Sequence, residues 1–241
     1  MKIAKSKAFG IATAAALGLL PLAASAGSFS ISPIRLKLGE ASPNGALTVR
    51  NGGDEPVVIQ LQPMAWSQND GEDQLDPTRE VLATPAVFTL DPGGSQLVRV
   101  ALRRPVDPNR ELSYRLVLQE VPAAAQPDAT GARIALRMSL PVFVEPAQVA
   151  EPDLVWSAVM SGDQETTLTA RNRGNVHVQV AQLSLDPSDG ASIENPAMAY
   201  ILPGESRSWP LLGASGTGSA LRLSGISDYG PIDARVEVGS E

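Results

Sequence analysis

The sequence predicts an all-β chain organised as two β-sandwiches, and three observations carry that prediction. Short runs alternate apolar and polar residues, as half-buried strands do, while few show apolar residues at helical spacing. Turn residues punctuate those runs: 21 glycines and 20 prolines among 241 residues, many breaks but no low-complexity composition. Residues 145–153, polar and bracketed by Pro146 and Pro152, divide the strand runs into two sets, as a short stiff linker would. With 43% apolar and 19% charged residues the chain is expected to fold around cores rather than stay disordered.

The first element is not part of the fold. Lys2, Lys5 and Lys7 are followed by an apolar run over 8–23 and by Ala24-Ser25-Ala26, a small-x-small site. This reads as a secretory signal over 1–26, with a mature chain from Gly27 outside the cytoplasm. The alternative, a membrane anchor, fits poorly: the run is 16 residues, contains Pro21 and falls short of the roughly 20 that span a bilayer. The first domain is expected over 27–146. Residues 46–50 alternate, stop at Asn51-Gly52-Gly53, and resume over 57–61, a hairpin signature. Residues 96–102 alternate after the Asp91-Pro92-Gly93-Gly94 turn, 114–121 form a strand ended by Pro122, and 132–144 is the longest run. The second domain, 147–241, carries runs at 154–160, 166–171, 176–185, 206–212, 220–223 and 234–238. No internal sequence repeat is evident.

Composition excludes several chemistries. There is no cysteine, so disulfides, thiol nucleophiles and cysteine-based zinc sites are out. A single histidine, His177, leaves no two-histidine metal site and reads as structural. Removing the three leader lysines from 19 basic residues leaves 16 against 26 acidic, a net charge of −10, which argues against nucleic acid or an anionic membrane as partner. Lys37 then stands beside 15 arginines, so a bound anion would be held mainly by arginine, whose planar fork suits a carboxylate. Asn69-Asp70-Gly71-Glu72-Asp73 offers oxygen ligands of a kind calcium takes, but reads better as a solvated hairpin loop. Ser95 and Ser206 sit in no nucleophile elbow. Trp66, Trp156 and Trp209 read as core or as packing at the domain junction.

The run ending at Val144 is the most informative. Ile134, Leu136, Met138 and Leu140 form an apolar face; Arg133, Ala135, Arg137 and Ser139 form a polar one. An ordinary half-buried strand has this pattern. So does an edge strand that lends apolar side chains and free backbone groups to another protein, with main-chain hydrogen bonds giving affinity and alternate side chains filling pockets. Each such side chain would bring roughly 1.5–3 kcal/mol of burial before ordering costs.

Several segments, in order and spacing, resemble the periplasmic chaperones of the chaperone–usher pathway of pilus assembly. They are Phe29-Ser30-Ile31-Ser32-Pro33-Ile34-Arg35-Leu36, Leu47-Thr48-Val49-Arg50-Asn51, Ala83-Thr84-Pro85-Ala86-Val87-Phe88, Leu90-Asp91-Pro92-Gly93, Tyr114-Arg115-Leu116-Val117-Leu118, Leu140-Pro141-Val142-Phe143-Val144, Asn172-Arg173-Gly174-Asn175-Val176-His177 and Leu202-Pro203-Gly204-Glu205-Ser206. Leu140-Pro141-Val142-Phe143 and Tyr114-Arg115 look most like the archaic, spore-coat-protein-U-associated branch. The resemblance implies two immunoglobulin-like sandwiches at an angle, with neither catalysis nor a cofactor. It implies pilus subunits and an outer-membrane usher as partners. In donor-strand complementation the chaperone's strand fills the subunit's incomplete sandwich, so Ile134, Leu136, Met138 and Leu140, with Ala132 as a weaker contact, would be the donor residues. The family's basic pair anchors the subunit's terminal carboxylate. Arg35 matches its first member, but Pro141 stands where a lysine is usual. Arg115, on the neighbouring strand and on a face not plainly solvent, is expected to take its place, with Arg137 in reserve; the alternative is a surface arginine paired with Glu120 or Glu111. Two other functions stay open: a pilus subunit or adhesin, against which the short apolar N-terminus and the lack of cysteine weigh, and a secreted hydrolase, for which no motif places paired carboxylates. A free edge also allows two copies to pair.

Overall fold

The computed structural model describes residues 29–122, 135–161, 165–186, 190–194, 196, 198–213 and 217–240. The expected signal segment, Ala132 and Ile134 lie outside these.

The first half packs two sheets face to face. One runs in the order β1 (Phe29–Ser32), β3 (Asn44–Asn51), β8 (Ser95–Leu102), β6 (Val81–Thr84). The other runs β2 (Leu36–Leu38), β10 (Arg137–Val144), β9 (Leu112–Val121), β4 (Val57–Asn69), β5 (Glu72–Pro77), with β7 (Val87–Leu90) also on β4. Alternation places the core: Leu47, Val49, Val98 and Val100 point inward from the first sheet, and Ile59, Leu61, Leu116 and Leu118 from the second.

The expected hairpin between 46–50 and 57–61 does not exist. β3 pairs with β1 and β8, whereas β4 pairs with β5, β7 and β9, so the chain crosses between sheets at this point. Asn51, fully buried, makes the corner: its Nδ2 donates to the Glu55 carbonyl at 2.7 Å and the Leu90 carbonyl at 3.1 Å, and its Oδ1 accepts from Gly53 N. Turn residues and alternation are common to hairpins and to sandwich corners, so periodicity could not separate them. The true hairpin is β4–β5, closed at Asp70 and Gly71, both at positive φ (51° and 80°), the backbone a tight two-residue turn requires. The acidic 69–73 segment is thus a hairpin tip. β4, at 13 residues, is the longest described strand, and the 132–144 run is strand only from Arg137 within the described residues.

The second half is one eight-stranded sheet folded over its own core. Its order is β14 (Ser192–Ile193), β16 (Ser206–Leu212), β12 (Thr166–Asn172), β11 (Leu154–Met160), β18 (Gly230–Ser240), β17 (Ala220–Ser227), β13 (Val178–Leu185), β15 (Ala199–Ile201). The long β18 joins the two sides, antiparallel to β17 along most of its length and parallel to β11 at its end. Leu168, Ile201, Leu221 and Leu223 fill the interior, and Trp156 stacks on Trp209 at 6.0 Å.

The two halves share a corner that the sequence reading missed. Asn172 repeats the geometry of Asn51: fully buried, Nδ2 donating to Val176 and Ile201 carbonyls, Oδ1 accepting from Gly174 N. Residues 145–153 join the halves and are tied on both sides. Gln148 N donates to the Pro108 carbonyl, and Glu151 N to the Asn175 side chain.

Candidate functional site

β10 has a partner along all of one side, β9, from Arg137 opposite Gln119 to Val144 opposite Leu112. On its other side β2 covers only Val142–Val144. Among the described residues no strand flanks 137–141 there, so those backbone groups form an open rim. Pro141, without an N–H, stands where this rim begins, a position an edge tolerates. Ala135, Arg137 and Ser139 are exposed; Leu136 and Met138 are half-buried against the first core. Leu140 is only 4% exposed and belongs to that core. The expected alternation is therefore present, with Leu136 and Met138 as the described apolar side chains that keep exposure.

Both expected anchor arginines lie beside this rim, where the two halves meet. Arg35 occupies the bend leading into β2. Its Nη1 donates to Asp228 Oδ2 at 3.2 Å, and its Nη2 to the Tyr200 hydroxyl at 3.0 Å and to Gln179 Oε1. All three acceptors come from the second half. Arg115 lies on β9 directly across from Pro141. Its guanidinium covers the Trp66 ring at 3.6 Å, and its nearest carboxylate among the described residues is Asp73 at 3.7 Å, beyond hydrogen-bond length. Neither Glu120 nor Glu111 takes it. Burial pulls its pKa below the ordinary arginine value, with Asp73 working the other way, and the group stays charged. The Tyr200 ring is shared: Arg35 stands 5.6 Å and Arg115 5.3 Å from its centre. Arg137 is exposed on the outer face of β10, paired with Gln119.

Behind the arginines is a buried charged cluster. His177 is fully enclosed and lies flat on Phe143, ring centres 3.5 Å apart. Its Nδ1 is 2.7 and 2.9 Å from the two oxygens of Glu111, a buried carboxylate of the first half, which also accepts from His177 N. Its Nε2 is 3.3 Å from Asp228 Oδ2, an ion-pair distance without hydrogen-bond alignment. Burial opposes charge on the ring, but Asp228 and Glu111 outweigh it and raise the His177 pKa. Trp66, Phe143 and Leu202 form the apolar side of this junction, and Gln68 clamps it by donating to the Tyr200 carbonyl and accepting from Leu202 N.

Residues 28–150 match the family described as pili and flagellar-assembly chaperone, PapD N-terminal domain, and residues 149–236 match pili assembly chaperone PapD, C-terminal domain. The chain belongs to the PapD family of pilus-assembly chaperones. The PapD chaperone of Escherichia coli is 26% identical over 147 residues, 59% of this chain and 59% of that relative. Among solved structures, a chain of the CsuC–CsuE chaperone–tip adhesion subunit pre-assembly complex from the archaic Csu pili of Acinetobacter baumannii superposes with TM-score 0.65 at 20% identity, covering 89% of this chain and 99% of that one. The E. coli chaperone DraB gives 0.62 at 22%, covering 87% and 98%. A chain of the Salmonella enterica SafA pilin–SafB chaperone complex gives 0.63 at 18%, covering 86% and 95%. At these identities the structures establish a shared fold. Membership in a non-enzymatic chaperone family answers the hydrolase and pilus-subunit alternatives.

In this PapD-family chain the sequence pointed to Arg35 and Arg115, but named Glu111 only as a surface partner of Arg115 and did not point to Gln179, Tyr200 or Asp228. Glu111 and these three approach from strand ends and turns far apart in the chain, with no shared spacing to reveal them.

Proposed function

We propose that this chain is a periplasmic chaperone that holds a pilus subunit by donor-strand complementation and passes it to an outer-membrane usher. The observation that carries this is the open rim of β10 over 137–141, beside the junction of the two halves where Arg35 and Arg115 both approach Tyr200. A subunit lacking its last strand would pair with that rim and take Leu136 and Met138, with Ile134 and Ala132 further along, into its groove. Leu140, at the inner end, would remain with the chaperone's own core. The subunit's terminal carboxylate would sit between Arg35 and Arg115, where charge-assisted bonds fix the register of the added strand. Arg115 serves in place of the missing lysine because it stands directly across from Pro141 and is held half-dry against Trp66. The complexes of CsuC with CsuE and of SafB with SafA support a subunit as the partner. The archaic-branch assignment rests on the sequence forms around Tyr114 and Leu140.

Co-expression with candidate subunits and purification from periplasmic extract tests the proposal. A stoichiometric complex is expected with the unaltered chain, none with Leu136→Asp, and at least tenfold less with Arg115→Ala, both variants remaining folded. A folded Leu136→Asp variant that still retains subunit at full yield refutes donation by β10.

A further inference from the structure

We infer that Tyr200 is a third member of the carboxylate anchor, a hydroxyl supplied by the second domain to a site whose two cations come from the first. The inference rests on the anchor reading above and adds a ligand group to it. Tyr200 lies on β15, and its backbone is pinned by Gln68 Nε2 at 2.9 Å. Its ring is packed edge-on against Trp66, centres 5.4 Å apart, so the hydroxyl is directed by both halves of the molecule. That hydroxyl accepts from Arg35 Nη2 at 3.0 Å. An acceptor of this kind keeps its own O–H for donation, and no described residue accepts it.

The ring has a second effect. Arg35 and Arg115 stand 5.6 and 5.3 Å from its centre. The negative π-face attracts both guanidinium groups and so offsets part of whatever repulsion they feel without a bound anion. A carboxylate entering between them would then meet two cationic forks and one neutral donor. Because the donor belongs to the other domain, binding would depend on the angle between the domains as well as on the arginines. Arg35 already makes three contacts to the second half, through Asp228, Gln179 and Tyr200. Its remaining N–H groups and the Tyr200 proton are what an incoming carboxylate would use.

The test uses an N-acetylated six-residue peptide of alternating valine and threonine, with either a free C-terminal carboxylate or an amide, titrated against the whole chain by NMR. The unaltered chain should prefer the carboxylate by tenfold or more. Tyr200→Phe keeps the ring and removes the donor; it should reduce that preference about five- to tenfold and leave amide binding unchanged. The same loss should persist in an Arg35→Gln background. If the unaltered chain shows no preference, the anchor reading itself falls and this inference with it. If the preference exists and Tyr200→Phe retains it, or if both peptides weaken equally, Tyr200 is not a ligand group. If the loss vanishes with Arg35→Gln, Tyr200 acts only through Arg35 and the direct contact is overturned.

Discussion

His177 ties the two halves at their junction, stacked on Phe143 and bonded to Glu111. Around it lie Glu111 and Asp228 as carboxylates, Arg35 beyond Asp228, and the rings of Tyr200 and Tyr229. Tyr229, pushed up to about 12 chiefly by burial, stays neutral through the physiological range. Two anions and one guanidinium leave a net negative charge in the cluster, and a protonated His177 balances it. The pH consequence follows from linkage. His177 has a pKa raised above its ordinary 6.5, so its contribution is complete below that value and is lost as pH rises through the folded-state pKa. Asp228 is opposed by burial but lowered overall from 3.8 by His177, Gln179 N and Arg35. Its contribution is present above 3.8 and lost as pH falls through its folded value. The junction should therefore be strongest between about pH 4 and 6.5. Urea midpoints across pH 4–9 are expected to decline on the alkaline side, and His177→Gln should flatten that decline. Removing the ring charge also leaves the buried Glu111 without its cationic partner. His177→Gln should thus cost about 2–4 kcal/mol near pH 6, read from the same unfolding curves; a loss below about 0.5 kcal/mol would mean the cluster contributes no net stability.

At the level of elements, β9 serves two surfaces by parity alone. Tyr114, Leu116 and Leu118 enter the first core, while Arg115 and Val117 face the other way, Arg115 reaching Trp66 and Tyr200 at the junction. That parity was legible in the sequence, and so was the oddity of an arginine on a face shared with valine. The alternation over 135–139 was legible too, because it is a local property. What alternation cannot encode is which sheet a strand joins, and this is why β3 and β4 looked like a hairpin. The short β14 and β15 were invisible for a related reason: two or three residues are too few to show a period, yet β15 carries Tyr200. The linker contact is similarly hidden in sequence. A Cβ at Gly174 would lie 2.2 Å from the Glu151 carbonyl oxygen and 2.7 Å from Asp153 N, backbone atoms that cannot swing aside. Gly174→Ala should push the linker off the second half and cost roughly 1–3 kcal/mol. A lowered thermal midpoint for the second domain checks this; an unchanged midpoint would mean the linker shifts freely.

For the whole molecule, relative motion between two domains is the default unless their interface is extensive and apolar. Here Phe143, Trp66 and Leu202, all buried, contribute roughly 1.5–3 kcal/mol each, and the charged cluster adds orientation. The account therefore expects a fixed angle, with the cleft formed before a subunit arrives. Arg35→Ala, which removes three ties between the halves, should broaden the small-angle scattering profile as well as weaken subunit capture; an unchanged profile would assign Arg35 to capture alone. The central claim remains that β10 lends its free edge. Amide hydrogen exchange over residues 136–140, measured with and without a bound subunit, tests it most directly. The account predicts that the amides facing away from β9 exchange fast in the free chain and become strongly protected in the complex, while those facing β9 are slow in both. Fast exchange of the outward amides in a stoichiometric complex would contradict it.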